Sequence, residues 1–326
     1  ELVMRPATVS PAARSSTDAR TLGIGLAVVT ATISGVAVFL NAFAVRQVPD
    51  AAVYTTLKNA VAAAVLLGVL VATNRWTDLR TIPARRWPAL LAVGVIGGSI
   101  PFVLFFTGLA QASAPGAAFI HKTLFLWVAL LALPALGERA GIATVIGLVA
   151  LLGGQALVLP PRDVAWATGE TMILAATILW AVETILVKRL LGETPALVVG
   201  ALRMSLGVVI LVGYLVVSGR AAGIATMSPA GWAWVALTGV ILAGYVGTWF
   251  AALRLAPATV VTSVLVLGAI VTGTLSAVSQ GALPAPSVLA GYGLMLAAAA
   301  VVAYGMRTVR ADAAGARRLA PTVAGQ

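Results

Sequence analysis

The sequence predicts an all-α, polytopic membrane protein: ten transmembrane helices arranged as two inverted five-helix repeats. Three observations predict it. There are ten apolar stretches of spanning length, the basic residues gather in alternate connections, and the chain resembles itself at a shift of about 145 residues. Apolar residues fill 60% of the 326 positions and charged residues only 10%, against about 25% charged in a soluble domain. A chain with so little polar surface needs lipid as its solvent. Its architecture is therefore counted in spans of about 20 apolar residues.

The first span covers about residues 22–45. It is too long for a signal-peptide core and is expected to be retained. Residues 1–20 before it are expected to form a disordered tail. The second span runs over 51–73. The third, 88–110, carries Gly97-Gly98-Ser99 just before Pro101 and is expected to bend near its middle. Its counterpart in the second half, span eight (231–253), carries Gly244-Tyr245-Val246-Gly247, a second expected weak stretch. Span four (112–136) opens on small residues and ends at Gly137-Glu138-Arg139, and span five follows at 142–159. Span six (168–187) holds Trp180 and Glu183 and stops at the anchor Lys188-Arg189. Spans seven, nine and ten cover 195–218, 257–279 and 284–306, and residues 307–326 form a second expected tail. The runs are continuously apolar, which suits helices. Barrel strands alternate and are about half as long.

Charge sets the orientation. With the N-terminus inside, cytoplasmic segments would hold fifteen Lys and Arg residues, the opposite loops only Arg46, Arg162 and Arg220, and the spans Lys58, Lys122 and Arg203. This split predicts both termini in the cytoplasm and an even number of spans. The net charge of +11 is thus a topology signal and not a nucleic-acid footprint. The lack of cysteine excludes a disulfide framework, an Fe–S cluster or a thiol catalyst.

The repeat carries the most information. At a shift of 145, Ala31-Thr32-Ile33 lies over Ala176-Thr177-Ile178 and Leu57-Lys58 over Leu202-Arg203. Trp87 lies over Trp232, and Gly94-Val95-Ile96 over Gly239-Val240-Ile241. After a three-residue deletion Pro115 lies over Pro257 and Glu138 over Gln280. The expected units are residues 21–160 and 161–306. Five spans per unit is an odd number, so the second copy enters the membrane from the other face. Inverted repeats with a site at their interface are a recurring plan of secondary transporters.

The segment from Ala117 to Ala132, containing His121-Lys122-Thr123 and running into Leu136-Gly137-Glu138-Arg139, resembles the fourth-helix signature of EamA-type proteins in the drug/metabolite transporter superfamily. Two further marks agree. Leu202-Arg203-Met204, with Lys58 as partner, resembles the basic residue at the start of the family's second and seventh helices. Leu179-Trp180-Ala181 resembles the Trp that opens its sixth. The resemblance covers residues 22–306. It implies ten helices, cytoplasmic termini, a central cavity lined by spans one to four and six to nine, and peripheral spans five and ten. Two departures stand out: Phe125 occupies a place where the family often has Pro, and Ser279-Gln280-Gly281 replaces Gly-Glu-Arg in the second copy. Glu138 thus has no ionisable mate, and its expected role is local, closing a helix end beside Arg139.

Ionisable groups within hydrocarbon are functional candidates by default. Lys122 lies about 15 Å from either end of its span at 1.5 Å per residue, too deep to snorkel. It reads as a ligand for a substrate carboxylate or phosphate, or as half of a fixed pair with Glu183. His121, turned by about 100°, suits proton coupling or a helix–helix hydrogen bond. Lys58 and Arg203 lie about 10 Å inside opposite ends of their spans. They bracket a cavity or snorkel to headgroups. Glu183 reads as a proton carrier, neutralised by desolvation in one state, or as a partner of Arg203 or Lys122. Asn41, Tyr245 and Trp249 complete the candidate substrate site, with Gln111, Ser99, Thr262 and Ser263 as further polar lining.

Three cations against one anion point to an anionic or zwitterionic metabolite such as an amino acid, exported by alternating access. Efflux of cationic drugs, with Glu183 dominant, and lipid flipping are the alternatives. There is no His-Glu-x-x-His, no Gly-x-Ser-x-Gly and no paired Asp, so neither an enzyme nor a metal or other cofactor is expected. The expected partners are a small-molecule substrate and the lipid bilayer, with the protein a monomer or homodimer. Ala- and Val-rich usage with Arg over Lys suggests a GC-rich bacterium and hence its plasma membrane.

Overall fold

A computed structural model describes residues 11–48, 50–112, 114–160 and 166–319. Among them every regular element is helical. In chain order the α-helices are α1 (Pro11–Ala44), α2 (Ala51–Ala72), α3 (Trp87–Ile96), α4 (Ile100–Leu109), α5 (Ala114–Lys122), α6 (Leu124–Leu136), α7 (Ile142–Val158), α8 (Thr168–Leu190), α9 (Ala196–Val217), α10 (Pro229–Leu255), α11 (Ala258–Leu265), α12 (Gly268–Ser279) and α13 (Pro286–Leu319). Spans three, four and nine are each two helices in line: α3–α4, α5–α6 and α11–α12. Nine spans of the described residues are long and apolar enough to cross a membrane, and the 17-residue α7 is a shorter apolar helix in the place of span five.

The first and last helices extend beyond the apolar stretches of spans one and ten. Helix α1 begins at Pro11, and α13 runs on to Leu319. Segments rich in Ala and Arg are good helix formers and simply propagate the adjoining helix. Residues 1–10 and 320–326 lie outside the described residues, as does most of the connection between spans five and six. The chain ends share one face, which we term the terminal face: the Arg20 guanidinium donates to the carbonyls of Met306 (3.3 Å) and Ala303 (3.2 Å).

The packing obeys the repeat. Span one lies along span eight, and its mate, span six, lies along span three. Span two packs on eight as seven packs on three, and span one on nine as six packs on four. The pairs two–seven, four–nine and five–ten are each their own mates. Every one of these contacts joins one repeat to the other, so the repeats are units of sequence that interlock into one body. Spans five and ten pair through small residues: Gly147 against Val302, and Gly154 against Met295. Ile142, Val145, Ile146 and Val149 on α7 are left exposed, as befits a peripheral span in lipid.

The expected bend of span three is present and the one in span eight is not. Pro101 has no N–H, so the carbonyl of Gly97 loses its i+4 donor, and the helix parts at Gly97–Ser99. The Gly-Tyr-Val-Gly stretch of span eight keeps all its donors, and α10 runs unbroken for 27 residues. Glycines weaken a helix by about 1 kcal/mol each without blocking its ladder. The breaks that do match between repeats lie in spans four and nine, at Thr123 and at Val266–Leu267. At the first, the Thr123 hydroxyl bonds back to the Ile120 carbonyl (2.6 Å) and its N–H takes the same carbonyl (3.0 Å). This frees the Phe119 carbonyl, which accepts instead from Gln155 of α7 at 2.9 Å.

Candidate functional site

Two polar nodes stand at mated positions in the two halves. The first forms where spans three, six and seven meet. Arg203, on the eighth residue of α9, donates Nε to Glu183 Oε1 (2.7 Å) and Nη2 to Glu183 Oε2 (3.3 Å) and to the Gly97 carbonyl (2.9 Å). The indole of Trp180 donates to the same carbonyl at 3.1 Å. The acceptor that Pro101 sets free is therefore shared by a guanidinium and an indole. Both charges are buried, Glu183 at 5% exposure and Arg203 at 9%. Such a forked pair is strong because both of its hydrogen bonds are charge-assisted. Close approach here requires glycine: a Cβ on Gly98 would lie 2.7 Å from the Arg203 carbonyl oxygen, so the break between α3 and α4 meets α9 backbone to backbone.

Aromatic rings wall this node. Phe102 stands edge-on to Trp180, with centroids 5.3 Å apart, and lies under the Arg203 guanidinium at 5.9 Å. His121 packs edge-on against Trp180 (5.0 Å) and Phe105 (5.1 Å), and its Nδ1 has no partner among the described residues. Tyr245 and Trp249 stack nearly parallel in span eight, 6.2 Å apart. Arg203, Glu183 and His121 are thus gathered around Trp180 and Phe102. Of the readings open for Glu183, this conformation contains the pair with Arg203.

The second node lies near the opposite face. The Lys58 ammonium sits over the Tyr54 ring at 5.1 Å. The Tyr54 hydroxyl lies between the Asn41 amide and the Thr238 hydroxyl (2.9 Å), joining spans one, two and eight. Lys58 is 8% exposed and has no carboxylate among the described residues. A shift of 145 explains why: Val38 stands where Glu183 would be, and Leu242 where Gly97 would be. Lys122, at the end of α5, is half-buried beside His121 and also makes no ion pair among the described residues.

A cavity of about 230 Å³ opens toward the face opposite the chain ends, and of the two nodes only Phe102 is among its lining residues. Its mouth carries Asp50 and Arg220, paired at 3.3 Å, and its walls come from α2, α4 and α9. Phe102 lines the cavity and separates it from Arg203. The terminal face is sealed by polar contacts instead. Arg86 pairs with Glu193 and donates to the Thr194 hydroxyl (3.1 Å). The Lys188 ammonium takes the carbonyls of Leu253 and Ala256, and Arg189 takes that of Ala135 (2.7 Å).

Glu138 belongs to that seal, and its role corrects the local one expected. Gly137 turns the chain in the left-handed region (φ +64°). This throws the Glu138 carboxylate onto the amides of Ala258 (2.6 Å) and Thr259 (3.2 Å). It caps the start of α11 in the other repeat, where orphan N–H groups and the helix dipole favour an anion.

Several partners were not singled out in the sequence. Phe102 had no signal of its own, and Gly97 was marked only as part of the expected bend, not as an acceptor for Arg203 and Trp180. Asn59 and Gln155 had one, an amide inside an otherwise apolar helix.

The EamA-like transporter family model matches the chain twice, over residues 21–159 and 167–304. A comparison with curated proteins returns no match. A solved crystal structure is similar in fold, with a TM-score of 0.71 over 90% of this chain and 99% of its own, at 18% identity.

Proposed function

The chain belongs to the EamA-like transporter family, and from that premise we propose that it exports a small anionic or zwitterionic metabolite, such as an amino acid, by alternating access. It is a multi-pass membrane transporter of the drug/metabolite superfamily. One observation carries the finer reading. Among the described residues Lys58 and Lys122 lie within the spans without an ion pair, whereas Glu183 is committed to Arg203. An uncompensated cation in a low-dielectric interior is expensive, and an anionic substrate relieves that expense. In this reading Lys58 and Lys122 hold the substrate's anionic group, with Asn41, Tyr245 and Trp249 as further contacts. Arg203, Glu183 and His121 couple its movement to protons.

Cationic drug efflux fits less well, because Glu183 would have to leave a forked guanidinium pair. The fifteen-to-three split of basic residues supports cytoplasmic termini. With them the cavity faces outward, and the cell membrane is bacterial on composition. Exchanging the conformations of the two repeats gives the inward-open state. That exchange must break the Arg86, Lys188, Arg189 and Glu138 contacts.

The test is counterflow of labelled amino and organic acids in liposomes containing the purified protein. Lys122→Gln and Lys58→Gln should each lower anion flux at least about tenfold, since 1.4 kcal/mol of binding is tenfold. Unaltered anion flux in both variants, or efflux of a cationic dye that survives them, would sink the reading.

A further inference from the structure

Several of the buried polar atoms left without a partner among the described residues lie on one arc of α2. At 100° per residue, Lys58, Thr55 and Asn59 fall within about 100° of one another. Thr55 lines the cavity, with Ala51 and Ala52 beside it toward the mouth. Lys58 and Asn59 lie one turn deeper. Thr55 and Asn59 are each 1% exposed. The Thr55 hydroxyl and both polar atoms of the Asn59 amide have no hydrogen-bond partner among the described residues. The mated positions in the second repeat are Gly200 and Met204, so this polar arc exists in one half only, on the cavity's side.

The chemistry of the arc is more selective than a bare positive charge. An ammonium and the Asn59 Nδ2 both donate, and a carboxylate satisfies them. The Asn59 Oδ1 accepts and needs a donor. A substrate that presents a donor next to its carboxylate satisfies both ends of the amide at once. We infer that Asn59 and Thr55 form a subsite beside Lys58 that selects carboxylates bearing a hydroxyl or amino group on the adjacent carbon. This rests on the reading of Lys58 as the anion site. A site built to bond a substrate hydroxyl or amine rejects the analogue lacking it far more sharply than an apolar pocket rejects a methylene.

The experiment uses the full-length purified protein and three four-carbon diacids that differ at one carbon: succinate, malate and aspartate. Thermal stabilisation by each acid gives its relative affinity. The wild type should respond to malate or aspartate at a concentration at least about tenfold lower than to succinate. Asn59→Leu should bring that ratio to within about threefold, and the isosteric Thr55→Val should lower it too, guarding against a misfolded first variant. A wild type without preference, or a preference that survives both variants, overturns the subsite. If no acid stabilises the wild type, or if Lys58→Gln leaves all three responses unchanged, the anion reading falls first and the subsite with it.

Discussion

Replacing Glu183 by Gln tests the buried pair most directly. The substitution keeps the shape and removes the charge. Arg203 loses its counter-ion at 2.7 Å and keeps neutral contacts alone, among them the Gly97 carbonyl, the Met204 sulfur and the face of Phe102. Leaving one member of a buried pair unmatched costs about 3–5 kcal/mol. At roughly 2–4 °C per kcal/mol for a chain of a few hundred residues, the melting midpoint in detergent should fall by on the order of 10 °C. Arg203→Met alone should fall comparably, because Glu183 is then the stranded charge. The double variant Glu183→Leu with Arg203→Met removes both charges, and its own single variants, Glu183→Leu and Arg203→Met, close a cycle with it. It should be more stable than either single variant, since apolar replacement of a buried pair is often neutral. The Gly97 carbonyl keeps the Trp180 indole at 3.1 Å, so it is not orphaned. A coupling of about 2 kcal/mol or more is expected from the cycle, read from melting curves followed by size-exclusion chromatography. Single variants melting within about 2 °C of the wild type, or a double variant showing the sum of both losses, would refute the assignment of Glu183 as the resident anion of Arg203.

Two further outcomes follow from the helix breaks. Pro101→Ala returns an N–H to the Gly97 carbonyl, which then competes with Arg203 and Trp180. Transport in liposomes should slow several-fold with no loss of thermal stability, and a melting point lowered by several degrees would show that the break is not held by the missing donor. Gln155→Leu strands the Phe119 carbonyl at the break in span four, which should cost about 1–3 kcal/mol. A melting curve identical to the wild type would count against Gln155 as the support of that break.

Much of the architecture was legible along the chain because it depends on composition and spacing. Hydropathy marks ten apolar segments whatever their neighbours, and an odd number per repeat forces inversion. Pro101 announces a break because it lacks a donor wherever it stands. The chemistry of single residues was legible in the same way: Lys58, Lys122, Arg203 and Glu183 are costly in lipid, so each had to be a candidate. Folding decided the pairings. Glu183 and Arg203 lie 20 residues apart and meet because spans six and seven pack around span three. Glu138 caps a helix 120 residues onward because Gly137 turns it there. The break at Thr123 has no proline to announce it and is supported by an amide from another span. The physical reason is range. Hydrophobic transfer and backbone sterics act on each segment by itself, whereas hydrogen bonds and ion pairs act over about 3 Å and exist only once packing has brought their two ends together.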